Sequence, residues 1–197
     1  MTIPDSLTAL PAYFEPREAS HFYAAQGAFF LVDPARVHKL CGEPVIGSDL
    51  VKALTRKSFP HAAYREGAIV PVLGVEQGHY TVTIRSTETQ NAPLPLTSML
   101  FSTGFILGTE TGELLLCNTD RLQRWTPGSL PTGQEEHPLS SLERPIQISP
   151  GWYAVTVVAG IRDSDQGGEE EWVCAFLLNP MPMQPVFAAD LTRMLSF

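Results

Sequence analysis

The densest set of groups able to do chemistry is RDSDQGGEEEW, residues 162–172. Asp163, Asp165 and Gly168 stand where a calcium loop has its first, third and sixth positions, so ligation of a hard cation by oxygen is the first chemistry to weigh. Two required ligands are missing. Gly167 stands at the fifth position, and Cys174 stands at the twelfth, where a chelating glutamate belongs. A long hairpin loop accounts for the same residues, because acids and glycines are ordinary turn formers. The expectation is therefore a solvated acidic loop that holds no metal.

Five histidines, at 21, 38, 61, 79 and 137, are scattered, with none at the i, i+2 or i, i+4 spacing of paired metal ligands. His79 stands beside Tyr80 in a turn and reads as a partly exposed packing residue. Cys41, Cys117 and Cys174 are an odd, widely spaced set, which reads as free thiols. Cys117 and Cys174 fall inside apolar runs, where a cysteine is a small core residue. No G-x-S-x-G, phosphate loop or dinucleotide fingerprint occurs, and no catalytic or cofactor-binding residue is assigned. Trp125, Trp152 and Trp172 all fall in the second half, and an indole beside acids suits a protein contact. The candidate interaction surface is thus Trp125, Trp152, Asp163, Asp165, Glu169, Glu170 and Glu171.

Elements that would position these groups show an internal likeness. GAFFLVDPARVHKL (27–40) and GELLLCNTDRLQRW (112–125) align without a gap, each reading as a glycine turn, a buried strand and a short helix. Asp33 and Asn118 end the two strands and are expected helix N-caps. GHYTVTI (78–84) and GWYAVTV (151–157) form a second pair, in the same order along the chain. Their alternation puts Tyr80, Val82, Tyr153 and Val155 into a core. Seven identities over 21 compared positions, in two ordered blocks, point to duplication.

Further strands are expected at 68–75, 99–108, 146–149 and 172–178. Helices are expected in SDLVKALTRK, capped by Ser48, and from Ala188 to the end. Residues 126–145, rich in proline, serine and acids, read as a surface connection. The fold class is mainly β, α+β with minor short helices, in two tandem strand-rich units packed together. The expected division is an N-terminal extension 1–19, a first unit 20–108 and a second unit 109–197, with one integrated domain as the alternative.

A chain of 197 residues, 44% of them hydrophobic, can bury a sizeable core. Its net charge of −8 is uneven, with 12 acids and 5 bases after residue 100. Scattered bases disfavour direct binding of nucleic acid, while an acidic half suits a basic protein partner. With no secretory or membrane-spanning run, the expected location is the cytoplasm. The strand ending FFLVDP with a later Gly-x-Tyr-x-Val strand resembles a pattern in small bacterial β-rich proteins, including inhibitor and immunity factors. That resemblance implies a non-catalytic interaction protein without a cofactor. The rival is a hydrolase whose dispersed site lies in the cleft between the two units.

Overall fold

The computed structural model describes residues 17–41, 49–54, 59–87, 94, 96–123, 125, 145–162 and 170–191. Nine strands and four short helices follow in the order β1 (Arg17–Ala24), β2 (Ala28–Val32), α1 (Pro34–Cys41), α2 (Leu50–Leu54), α3 (Phe59–Arg65), β3 (Ile69–Leu73), β4 (Gly78–Ser86), β5 (Thr97–Thr109), β6 (Glu113–Asn118), α4 (Thr119–Gln123), β7 (Ile146–Gln147), β8 (Gly151–Arg162) and β9 (Glu171–Met181). The chain is β-rich, in two sheets: β1-β4-β9-β8-β5 and β3-β2-β6-β7.

Side-chain alternation sets the layers. In β2, Phe29 and Leu31 face the large sheet, joining Tyr80, Val82, Tyr153, Val155 and Phe176 in the main core. Phe30 and Val32 point the other way and join Val37, Leu50, Ala63, Tyr64 and Leu122 from the helices in a second core. Burial on both faces explains why FFLV is continuously apolar instead of alternating. The large sheet, small sheet and helices therefore stack as three layers, and the space between the sheets is filled by side chains.

Both sheets draw strands from either side of residue 108, and each sheet reads the same from both edges. Leu31 faces Leu116 where β2 pairs antiparallel with β6; these are the two leucines that the ungapped alignment matches. Ala24 faces Gly78 as Thr109 faces Gly151, and Phe22 faces Tyr80 as Leu107 faces Tyr153. Arg17 faces Ile84 as Ser102 faces Val157, each after a bulge that shifts the register by one. Among the described strands, β9 alone has no counterpart. It fills the centre of the large sheet, parallel to β4 and antiparallel to β8.

Local chemistry recurs at matching places. Asp33 Oδ1 accepts the Arg36 N–H at 2.7 Å, and Asn118 Oδ1 accepts the Arg121 N–H at 2.9 Å, so both are N-caps. The Tyr80 hydroxyl donates to the Glu76 carbonyl and the Tyr153 hydroxyl to the Ser149 carbonyl, each four residues upstream. Gly27 and Gly112 both take positive φ, +69° and +77°. A Cβ on either would press on a carbonyl oxygen, that of Val75 or Ile148 respectively.

Several expectations need correction. Asp49 accepts the Lys52 N–H at the start of α2, and Ser48, the expected cap, lies outside the described residues. The segment from Ala188 to Leu191 is not helical; the Ala188 N–H donates to the Gly104 carbonyl at 2.9 Å, tying the chain to β5 instead of to a helical turn. β1 begins at Arg17, inside the stretch read as an extension, and neither β1 nor α3 was expected.

Candidate functional site

The β8–β9 hairpin is the longest continuous ladder in the large sheet, running from Trp152 opposite Met181 to Arg162 opposite Glu171. Trp152 and Arg162 are ten residues apart on β8, about 33 Å at ~3.3 Å per residue. This length divides the expected interaction surface into separate places.

At the Arg162 end, Glu170 is exposed and Glu171 is half-buried. Arg162 Nη1 lies 3.2 Å from Glu171 Oε2, and the Thr81 hydroxyl donates to Glu171 Oε1. Glu171 is therefore a clamp joining β8, β9 and β4, with its charge already matched, and not a free steering charge. Asp163, Asp165 and Glu169 fall outside the described residues. They belong to the seven residues, 163–169, that connect this clamp to exposed Glu170.

At the other end, Trp152 is half-buried. A Cβ on Gly67 or Gly108 would strike its ring, so these glycines form the slot that receives it. The Arg36 guanidinium covers the ring at 4.2 Å from its centroid and donates Nε–H to the Glu66 carbonyl. Glu110 lies 3.1 Å from Lys39 and 3.9 Å from Arg36. The Lys39 hydrogen bond, then its charge, holds the Glu110 carboxyl below its ordinary range. Trp152 thus fastens β8 to α1 and to the turn before β3.

Trp125 is buried at 3% exposure within the helical core, so it offers no contact surface. Trp172 lies against Tyr80 at the rim of the main core. The shared property of these three indoles is their sequence position, which places them in three unrelated environments.

Cys117 and Cys174 are buried free thiols. Burial pushes Cys117 up to about 12 and raises Cys174 further, so neither is a thiolate nucleophile near neutrality. His79 is exposed, its ring tilted on Tyr23 at 5.2 Å. Among the described residues, no group of three or more His, Cys, Asp or Glu is placed to hold a metal ion. No described helix is long and apolar enough to cross a membrane.

Sequence reasoning missed two features of this surface. One is the Arg162–Glu171–Thr81 clamp, which needs the pairing of β9 with both neighbours. The other is the run of chain after β9, residues 182–191, where Met183 and Val186 are 71% and 86% exposed. Its prolines signalled only that a helix was barred.

No protein-family model and no curated protein sequence matches the chain. Among solved structures, one described as Crocagin biosynthetic gene J is similar at 14% identity and a TM-score of 0.45, covering 85% of this chain and 99% of its own. ComJ, the inhibitor of the DNA degrading activity of NucA, from Bacillus subtilis, is similar at 9% identity and a TM-score of 0.40, covering 85% of this chain and 96% of its own. Neither likeness transfers a residue role.

Proposed function

We propose that this chain is a non-catalytic, cytoplasmic interaction protein, built on a duplicated framework, that offers the acidic tip of its β8–β9 hairpin to a basic protein partner in an inhibitor or immunity-type role. The observation that carries the reading is the clamp at the last rung. Arg162, Glu171 and Thr81 hold both ends of the tip on the central strands of the large sheet. Asp163, Asp165, Glu169 and Glu170 lie in sequence between Arg162 and Glu171, four carboxylates on a short span of chain, whose mutual repulsion a cationic surface would relieve. A rigid base with clustered charge favours fast, salt-sensitive encounter.

The test begins with a partner recovered from the protein's native cells, identified by mass spectrometry and purified. Neutralising Asp163, Asp165, Glu169 and Glu170 together, with Glu171 kept, should lower the association rate about tenfold or more at low salt, and the gap should close as salt rises. The complex should also block the partner's activity. An unchanged association rate sinks the acidic-tip reading. A rise in melting temperature with calcium, abolished by Asp163→Ala, would replace it with a metal loop.

A further inference from the structure

We infer that Arg85 anchors a second contact surface, on the face of the large sheet that turns away from the small sheet, and that this surface takes a partner protein presenting a carboxylate within an apolar patch. On β4, Tyr80, Val82 and Ile84 point into the main core, so Arg85 points to the opposite face. It is half-buried there. Its Nε–H donates to the Thr83 hydroxyl at 3.3 Å, and among the described residues no carboxylate pairs with it. The other half-buried guanidiniums are matched: Arg36 covers Trp152 and reaches the Glu66 carbonyl, Arg121 donates to the Leu116 carbonyl, and Arg162 meets Glu171.

The recurring framework does not ask for arginine at this place. Extending the match of 78–84 with 151–157 by one residue sets Arg85 against Val158, which is 1% exposed and packs with Leu96, Val173 and Ala175. A covered apolar side chain is what the other half holds there. Around Arg85 the face is open instead. Leu177 beside it on β9 and Thr156 next on β8 are half-buried, and in the neighbouring row Phe101, opposite Val158 on β5, is 49% exposed. Neither row holds an acid. Three strand spacings separate β4 from β5, about 14 Å at ~4.8 Å each, so one partner surface can meet both Arg85 and Phe101.

Half-burial without a counter-charge costs a guanidinium part of its hydration. A carboxylate accepting from its Nη groups offsets that cost with a paired, directional contact. Arginine and aromatic rings are also the side chains that most often anchor protein contacts. A sheet face with Ala154 and Thr156 on it is flat, which suits a protein surface better than a small anion, whose sites are concave. A second copy of the chain is a poorer occupant, because two chains of net charge −8 repel each other. Leu177 lies six residues along β9 from Glu171, about 20 Å, so this inference does not depend on the acidic tip binding anything.

A benzophenone amino acid in place of exposed Phe101, irradiated in native cells, tests the proposal, with Gln147, exposed on β7, as control position. The expected product joins position 101 to a different protein, at a segment containing Asp or Glu, and is not formed from position 147. It should persist when Asp163, Asp165, Glu169 and Glu170 are neutralised; its loss there would reassign the contact to the tip. With that partner purified, Arg85→Gln should weaken binding about tenfold or more, and Arg85→Lys, which keeps the charge without the planar fork, should fall between. Arg85→Glu should be rescued by exchanging the contacted partner acid for arginine. The melting temperature of Arg85→Gln should stay unchanged, since the one bond lost is that to Thr83. Cross-links only to another copy of this chain, no product specific to position 101, unchanged affinity in Arg85→Gln, or failure of the charge exchange to rescue would each overturn the proposal.

Discussion

Between its second and third strands, the framework from β1 to β4 carries three helices, whereas the framework from β5 to β8 has one described helix, and its third strand shrinks to two residues. Around that difference the two halves agree in glycine turn, buried strand, capped helix and tyrosine strand. What recurs is what a strand at the middle of a sheet and its flanking turn require. What varies lies away from the pairing of β2 with β6, where insertion disturbs no ladder. The hairpin tip proposed for binding adjoins β9, which has no counterpart among the described strands. Recurrence therefore marks the scaffold, and its absence marks where contact surfaces can be placed.

The largest expected effect comes from the paired tyrosines. Tyr153→Ala should destabilise by roughly 3–5 kcal/mol, and Tyr80→Ala by a somewhat smaller amount, because Tyr153 is 1% exposed and Tyr80 4%. Chemical denaturation measures both. A cost near zero for either would break the equivalence of the two strands.

Next come the paired glycines. Alanine at Gly112 should cost about 2–3 kcal/mol and at Gly27 about 1–2 kcal/mol, the order following the 2.2 Å and 2.9 Å approaches to the Ile148 and Val75 carbonyl oxygens. Reversal of that order would show that one turn relaxes where the other cannot.

Removing only the hydroxyls sharpens the comparison. Tyr80→Phe and Tyr153→Phe each delete one hydrogen bond to a carbonyl and should cost about 1 kcal/mol apiece. The caps should behave alike, with Asp33→Ala and Asn118→Ala costing ~1 kcal/mol each. A double-mutant cycle across the halves should be additive for the caps, which share no partner.

The smallest effect probes what is not shared. Tyr64 lies on α3, an element of the first half alone, and burial pushes its phenol up to about 12 from an ordinary 10.0. Its raised folded value means that its contribution is whole below pH 10 and is lost as pH climbs from about 10 through 12. Tyr64→Phe should flatten part of that alkaline decline in melting temperature. An identical decline in the variant would assign the whole loss to other groups, among them Tyr80 and the buried thiols of Cys117 and Cys174, whose values burial also raises.

The strands and turns that could be read from the sequence are those whose causes are local. Gly27 and Gly112 stand where positive φ is needed, Asp33 and Asn118 where a helix N–H lacks a partner, and Tyr80, Val82, Tyr153 and Val155 alternate because a strand has two faces. β1 escaped because REASHFYA carries no sustained alternation, and it is a strand because the edge of β4 pairs with it. The expected helix after Ala188 failed for a similar reason. Leu191 does face the cores, but through a chain held by the Gly104 carbonyl.

For the candidate surface, the sequence by itself determined the supply of groups: the acids of 163–171, the three indoles, the proline run and the absence of local catalytic motifs. Only the tertiary structure decided which of them can act together. Inserting β9 between β4 and β8 separates Trp152 from Glu171 by the length of a hairpin, turns Glu171 inward to Arg162 and Thr81, and leads the chain out onto β5 with Met183 and Val186 uncovered. Proximity along a chain is a local property, whereas position on a sheet depends on pairing between distant strands, and those partners are chosen by the packing of the whole core.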